Sequence, residues 1–166
     1  MGAERIAGSL NTGTLASINV SGGGVPKRRI DGVKVSRSGL QNDAQNDKVH
    51  HGGPDRAVCI YSLEKVLALR AEGHPIEAGS AGENLTVDGL VWELIVPGVR
   101  LKIGESVVLE VTSFTSPCTK IRRAFIDEHF ARISQKVHPG WSRVYARVLE
   151  EGDLKIGDRV ELLAGW

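Results

Sequence analysis

The stretch that decides the fold class reads Val99-Arg100-Leu101-Lys102-Ile103-Gly104-Glu105 and leads into the apolar-rich residues 107–111. The two parts together are typical of a β-hairpin, with a strand at residues 107–111. A second copy of the pattern, Leu154-Lys155-Ile156-Gly157-Asp158, leads into residues 159–163. Because glycine readily adopts the positive φ of a tight turn, both copies predict β-hairpins with shared turn chemistry rather than a duplicated domain.

Short apolar runs punctuated by glycine continue outward from this stretch. They predict further strands at residues 14–20, 33–36, 57–61 and 85–87. Residues 63–70 keep a helical period, with Ser62 as N-cap and Gly73 as a stop signal. A second helix is predicted from Thr119 to about Gln135. Many short strands with few helices favour a mainly β fold with some α, a barrel or sandwich with helices packed outside.

Composition narrows the class of protein. The chain has 166 residues, with 21 basic and 20 acidic side chains and a net charge of +1. One domain is expected at this length, and no overall charge favours nucleic acid or an anionic membrane. Two cysteines exclude a disulfide scaffold, and the absence of about 18 consecutive apolar residues excludes a membrane-spanning helix. The first 13 residues do not resemble a signal peptide, so we expect a cytoplasmic protein.

The most chemically suggestive segment is Ser116-Pro117-Cys118-Thr119-Lys120. Ser116 is predicted to cap a helix and Pro117 to occupy its first position, so Cys118 falls in the first turn. There the helix dipole stabilises a thiolate, which suits a metal ligand, a nucleophile or a sulfur carrier. The alternative is a free cysteine packed as a small hydrophobe. That alternative is the interpretation we prefer for Cys59, which lies inside an apolar strand.

Two other segments place polar groups beside glycines. In His50-His51-Gly52-Gly53-Pro54-Asp55-Arg56, one histidine at most faces a given site, and Arg56 offers a planar fork for phosphate or carboxylate. The loop at residues 79–84 presents Glu83 and Asn84. Taken alone, the first segment is better explained as a surface turn with solvated charges, and the second is a weak pattern. The basic cluster Lys27-Arg28-Arg29 suits a small anionic ligand better than nucleic acid, because only 5% of the residues are aromatic.

Three segments in this order are much more specific than any one of them: residues 50–58, 82–86 and 116–120. Together they resemble the MOSC domain family, named after the C-terminal domain of molybdenum-cofactor sulfurases. The likeness runs from about Thr14 to Leu163, so residues 1–166 are predicted to form a single MOSC domain. The resemblance implies a MOSC-type β-barrel with a few peripheral helices.

The resemblance also implies roles for individual residues. Cys118 matches the cysteine that ligates molybdenum in members that bind molybdopterin and that is thought to carry a persulfide in the sulfurases. Arg56 matches an arginine near the cofactor phosphate, and Asn84 and Ser116 match polar contacts of the cofactor. His51 fits the bacterial His-Gly-Gly-Pro pattern and is predicted, with Cys118, to be catalytic.

At the amino-terminal end the match is looser. Ser21, in Asn19-Val20-Ser21-Gly22, occupies the position of a cofactor contact, but a glycine run replaces the lysine-serine pair of the amidoxime-reducing relatives. Lys27 is predicted to substitute for the missing lysine.

The function predicted from this resemblance is reduction of an N-hydroxylated or related small molecule by a bound molybdenum cofactor. The electrons would come from a partner reductase. One alternative is a sulfur carrier that receives a persulfide on Cys118 from a cysteine desulfurase. The other is a non-catalytic pterin-binding module.

Overall fold

The computed structural model describes residues 11–44 and 53–163. Within these ranges the chain forms strands β1 (Thr12–Val20), β2 (Arg28–Ile30), β3 (Gly32–Ser36), β4 (Gly39–Leu40), β5 (Val58–Ser62), β6 (Leu85–Asp88), β7 (Arg100–Ile103), β8 (Val107–Phe114), β9 (Val144–Glu150), β10 (Gly152–Lys155) and β11 (Arg159–Leu162). Helix α1 spans Leu63–Ala71, and 3₁₀ turns span Pro54–Arg56, Trp92–Leu94, Thr119–Ala124, Ile126–Glu128 and Phe130–Ile133. No helix in the described ranges is long and apolar enough to cross a membrane.

Seven strands close into a barrel. Their spatial order is β11-β7-β8-β9-β5-β6-β1, and β1 pairs back onto β11. Neighbouring strands are antiparallel except β5 and β6, which are parallel and connected through α1. Strand β2 pairs antiparallel with the second half of β1, and β10, β3 and β4 form a separate small sheet. The predicted mainly β barrel is therefore confirmed.

Apolar and polar residues alternate along β7, and the apolar ones face the core. Leu101 and Ile103 are fully buried, whereas Arg100 and Lys102 are exposed. Leu101 lies opposite Leu109 of β8, and both belong to one apolar core. Since successive side chains of a strand point to opposite faces, the period of two separates core from solvent.

Helix α1 begins and ends where the sequence predicts. The Ser62 hydroxyl accepts a hydrogen bond from the Lys65 backbone N–H at 3.2 Å. Val66 and Leu69 are buried against the core. Gly73 follows the helix with φ +103°, a conformation that glycine adopts without steric cost.

One of the two predicted hairpins is confirmed and the other is wrong. β7 pairs with β8, but β10 pairs with β3, and β11 pairs with β7 and β1. The second turn is instead anchored to β1. The Gly157 N–H donates to the Leu15 carbonyl at 2.8 Å, and the Asp158 carbonyl accepts from the Leu15 N–H at 2.8 Å. The same turn sequence therefore joins strands of two different sheets, because long-range pairing decides its partners.

The predicted second helix is also wrong. Residues 119–133 form three 3₁₀ turns, interrupted at Phe125, which is extended with φ −128° and ψ 144°. Phe125 is buried and its ring lies edge-on to His74, at 5.3 Å between centroids. The Ile126 N–H donates to His74 Nδ1 at 3.0 Å, so tertiary contacts replace the i→i−4 bonds of a helix. Most of the predicted apolar side is nevertheless buried, namely Ile121, Phe125 and Ile133.

Replacing Gly79 with alanine is expected to lower the free energy of unfolding by about 2–4 kcal/mol. Gly79 has φ +87°, and a Cβ there would lie 2.4 Å from the Lys27 carbonyl oxygen. Gly157→Ala is the matched control, because Gly157 has φ +97° but no atom within 4 Å of the new Cβ. That control should cost only about 1–2 kcal/mol in urea titrations. Equal losses in the two variants would contradict the steric argument.

Candidate functional site

Three of the predicted cofactor-binding residues meet at the carboxylate of Asp43, in the loop after β4. Lys27 Nζ lies 2.7 and 2.8 Å from the two Asp43 oxygens. The Ser21 backbone N–H donates to Oδ1 at 3.0 Å, and Asn84 Nδ2 donates to Oδ2 at 2.9 Å. We call Ser21, Lys27, Asp43 and Asn84 the Asp43 cluster. No sequence motif surrounds Asp43, so the sequence analysis missed its role.

The polar atoms of the Asp43 cluster have internal partners. Asn84 is fully buried, and its Oδ1 accepts from the Cys59 N–H at 3.0 Å. The Ser21 hydroxyl donates to the Gly24 carbonyl at 2.8 Å and accepts from the Gly23 N–H at 2.9 Å. A ligand contact by these side chains would require one of these bonds to be exchanged. Their part in cofactor binding stays a prediction.

Cys118 lies just before the 3₁₀ turn Thr119–Ala124 and not inside a helix. It is extended, with φ −142° and ψ 175°, and its thiol makes no capping hydrogen bond. Cys118 is partly exposed, and Ser116 is exposed. The predicted N-cap at Ser116 and the first-turn position of Cys118 are therefore wrong, because residues 116–118 form an extended lead into a short turn. The predicted stabilisation of a Cys118 thiolate by a helix dipole is therefore lost, because a macrodipole requires the aligned peptides of a longer helix. Any stabilisation of the thiolate would have to come from nearby charges.

Arg143 connects three loops around this cysteine segment, and no sequence motif pointed to it. Its Nη1 donates to the Ala81 carbonyl at 2.6 Å, and its Nη2 lies 3.5 Å from the Ser116 carbonyl. Its own carbonyl accepts from the Thr115 N–H at 2.9 Å. The loops before β6, after β8 and before β9 therefore meet at one buried guanidinium. Arg143 is 4% exposed.

The pKa of the Tyr145 phenol depends on several residues of this site. Burial raises the pKa of the Tyr145 phenol. A negative charge on Cys59 or Cys118 would raise that pKa further, and the positive charges of Arg143 and Arg56 lower it. The Arg56 guanidinium also lies 5.6 Å from the centroid of the Tyr145 ring. Cys118, Arg56 and Arg143 are thus within electrostatic range of one phenol.

Cys59 is a core residue, as predicted. It also links the Asp43 cluster to the three loops that meet at Arg143. It is 4% exposed, and burial raises the pKa of its thiol. Its backbone N–H binds Asn84, and its Sγ lies 3.8 Å from Thr115 Oγ1. Because Thr115 also binds the backbone of Arg143, a continuous set of contacts joins the two halves of the site.

A buried polar network supports β6 beside the Asp43 cluster. Ser17 Oγ donates to Asn19 Oδ1 at 2.7 Å, and Asn19 Nδ2 donates to Thr86 Oγ1 at 3.1 Å. Thr86 Oγ1 donates in turn to Glu83 Oε2 at 3.1 Å. Glu83 is fully buried, and its Oε1 has no hydrogen-bond partner. Burial raises the pKa of the Glu83 carboxyl, although backbone N–H groups partly oppose this.

Glu83→Gln is expected to reduce the loss of stability as pH rises. The pKa of Glu83 is raised in the folded state above its ordinary value of 4.5. Protonation of Glu83 therefore stabilises the folded protein, and this contribution is fully present below pH 4.5. That contribution is lost as pH rises through the folded pKa, at up to about 1.4 kcal/mol per pH unit. Thermal melts between pH 4 and 8 should show the wild type losing stability relative to Glu83→Gln. A pH-independent difference would contradict this.

Not every predicted site residue lies in the part of the chain that the structure describes. His51, predicted as catalytic, lies outside the described residues. In the described part of the chain, no group of three or more His, Cys, Asp or Glu side chains could hold a metal ion. Asp127, Glu128 and His129 are exposed in the turns that follow Cys118. Among the described residues, Cys118 could therefore hold a metal only together with ligands from outside residues 11–44 and 53–163.

By its fold and its site, the protein is a closed β-barrel in which one of the two cysteines is partly exposed beside the loops that meet at Arg143. The MOSC domain family matches residues 47–161, and the chain belongs to that family. This confirms the resemblance read from the three motifs. The family is associated in general with molybdenum-cofactor binding and includes oxidoreductase-like members.

Individual relatives give the same assignment. Uncharacterized protein YflK of Bacillus subtilis is 35% identical over 163 residues, which are 94% of this chain and 72% of YflK. Protein YiiM of Escherichia coli is 33% identical over 70% of this chain and 54% of YiiM. A Gibberella moniliformis protein named Reductase is 31% identical over 95% of this chain, which spans 28% of that protein. The solved structure of a hypothetical protein superposes with a TM-score of 0.75 at 27% identity, covering 98% of this chain and 72% of that one.

Proposed function

We propose that this protein binds a molybdopterin-type molybdenum cofactor through Cys118 and reduces an N-hydroxylated or related oxidised small molecule. The observation that carries the proposal is the contrast between the two thiols. Cys118 is partly exposed at the converging loops, whereas Cys59 is buried in the core. Family membership supports the choice of cofactor.

The donor set around Cys118 fits such a cofactor. A cysteine thiolate is a soft ligand for a transition metal, and a guanidinium binds phosphate through two parallel hydrogen bonds. Arg56 is half-buried at the same phenol that Cys118 influences. Lys120 and Arg123 are exposed in the turn that follows Cys118. The site therefore combines one soft ligand with cations suited to an anionic cofactor.

The protein's own contribution is binding and orientation. When bound, the molybdenum cofactor supplies the redox chemistry. Cys118 would hold the metal, and Arg56 with Ser116 would hold the phosphate. Asn84 would hold the pterin only by exchanging one of its internal hydrogen bonds. Electrons would come from a partner reductase, because the side chains of this site offer no redox centre of their own beyond thiols.

A second candidate function is favoured by the partial exposure of Cys118 itself. As a sulfur carrier, the Cys118 thiolate would attack the outer sulfur of a persulfide on a cysteine desulfurase. A new S–S bond would form on Cys118, and the donor's thiolate would leave. A third candidate is a pterin-binding module without turnover.

Molybdenum analysis separates these functions. The wild type, Cys118→Ala and the control Cys59→Ala would be purified from a host that makes the cofactor. Metal would be measured by mass spectrometry and pterin by fluorescence after oxidation. We expect stoichiometric molybdenum in the wild type and in Cys59→Ala, and its loss in Cys118→Ala. Absence of metal and pterin from the wild type would overturn the proposal.

Two further assays address the alternatives. Metal-loaded protein with an artificial electron donor should reduce hydroxylaminopurine or an amidoxime above the Cys118→Ala background. Bound cofactor without turnover of such compounds would favour the pterin-binding module. Incubation with a cysteine desulfurase and cysteine would test the carrier, for which intact mass should show a dithiothreitol-removable sulfur that is absent from Cys118→Ala.

A further inference from the structure

Arg143 has hydrogen-bonding capacity that the protein does not use. Its Nε is buried and has no hydrogen-bond partner among residues 11–44 and 53–163. Its Nη2 makes only a long contact, 3.5 Å from the Ser116 carbonyl, whereas Nη1 is well bonded to Ala81 at 2.6 Å. A buried N–H without a partner is unfavourable, so an arginine that presents one indicates a missing acceptor.

The charge of Arg143 is also poorly compensated. Its partners Ala81 and Ser116 contribute neutral carbonyls. The buried Glu83 acts on Arg143 electrostatically, but Glu83 Oε1 has no hydrogen-bond partner. Burial raises the pKa of Glu83, which reduces the negative charge available to Arg143. Because an arginine stays ionised in proteins and a buried charge is costly unless paired, this environment favours an added anion.

The position of Arg143 directs that anion to the Cys118 site. Ser116, whose carbonyl Nη2 approaches, is two residues before Cys118 and is exposed. Arg143 and Cys118 also act on the same Tyr145 phenol. Displacing the long contact at Ser116 would free Nη2 beside the residues that lead into Cys118.

We propose that Arg143 is the oxyanion anchor of this site, and that its Nε and Nη2 bind a phosphate or carboxylate group of the molecule held beside Cys118. The inference rests on the proposed function only in placing a ligand at Cys118, since the anchor acts with or without metal. It restricts that ligand to molecules that carry an oxyanion. The oxyanion belongs either to the cofactor or to the substrate.

The test uses inorganic phosphate and protein from a host that cannot make the pterin. Calorimetry should show phosphate binding to the wild type, and about tenfold or greater weakening in Arg143→Gln, because a charge-assisted hydrogen bond is lost. Arg147→Gln is the matched control, since Arg147 is exposed on β9 and pairs with Asp55 at 3.4 Å. Phosphate affinity in Arg143→Gln within twofold of the wild type, or no binding to the wild type, would overturn the proposal.

Alkylation of Cys118 provides a readout that survives if Arg143→Gln does not fold. In the wild type, phosphate should slow modification of Cys118 by the anion iodoacetate more than by neutral iodoacetamide. Arg143→Lys should keep part of this selectivity, because it keeps the charge. Equal effects of phosphate on the two reagents in the wild type would contradict an anion bound near the thiol.

A third arm distinguishes the two sources of the oxyanion. Cofactor-loaded protein that no longer binds phosphate would place the cofactor's own phosphate on Arg143, and loaded protein that still binds it would assign Arg143 to an anionic substrate.

Phosphate binding without any molybdenum in cofactor-producing hosts would overturn the proposed function alone. Molybdenum binding without an effect of Arg143→Gln on phosphate would overturn the anchor alone.

Discussion

Replacing Asp43 with alanine is expected to lower the free energy of unfolding by about 3–5 kcal/mol. The Asp43 and Lys27 side chains are only 4% and 7% exposed, and they lie 2.7 Å apart. Removing the carboxylate would leave a buried ammonium without its counter-charge. It would also leave the Ser21 N–H and one Asn84 N–H without their acceptor.

Urea titration and thermal melting measure this loss. For a domain of this size each kcal/mol corresponds to about 2–4 °C, so the melting temperature should fall by about 10 °C. Glu161→Ala is the control, because the Arg159–Glu161 pair is more exposed, at 68% and 38%. Such surface pairs contribute about 0–1 kcal/mol. A loss in Asp43→Ala no larger than in Glu161→Ala would show that the Asp43 cluster does not stabilise the fold.

In the folded protein, iodoacetamide is expected to modify Cys118 about 10³-fold faster than Cys59. Cys59 is 4% exposed within β5, which is hydrogen-bonded on both sides. Its reaction therefore requires the barrel to open, and every 1.4 kcal/mol of opening free energy slows the reaction tenfold. Burial also raises the pKa of the Cys59 thiol, which lowers its thiolate fraction. Cys118 lies outside the strands and is partly exposed.

Peptide mass spectrometry of quenched samples gives the two rates separately. In concentrated urea the difference should shrink to a few-fold, because unfolding removes the protection of Cys59. Cys118→Ser provides a sample in which Cys59 is the only thiol. Similar rates for the two cysteines in the native protein would contradict the burial of Cys59.

Local pattern and local chemistry were sufficient for several elements. The short apolar runs bounded by glycine and turn residues predicted strands close to β5 and β6, since such residues separate strands in any sheet. Ser62 predicted the start of α1, because an N-cap depends on a hydroxyl three residues before its donor. The motifs around Arg56, Asn84 and Cys118 were sufficient to recognise the family, which a match over residues 47–161 confirms.

Local pattern failed where distant contacts compete with propensity. Residues 119–135 have a helical apolar period, but His74 and the core hold Phe125 in an extended conformation. The repeated Leu-Lys-Ile-Gly turn closes one hairpin and not the other, because Gly157 is bound to Leu15 of β1. In both cases a partner far away in sequence determines the backbone.

The sequence by itself determined the mainly β class, the family and the two cysteines on which any thiol chemistry depends. Only the tertiary structure decided that Cys118 is the partly exposed thiol and that Asp43 and Arg143 organise the groups around it. Asp43 is 41 residues from Asn84 and 16 from Lys27, and Arg143 is 62 from Ala81. Hydrogen bonds and ion pairs act over a few ångströms in space, so barrel closure, not spacing along the chain, selects such partners.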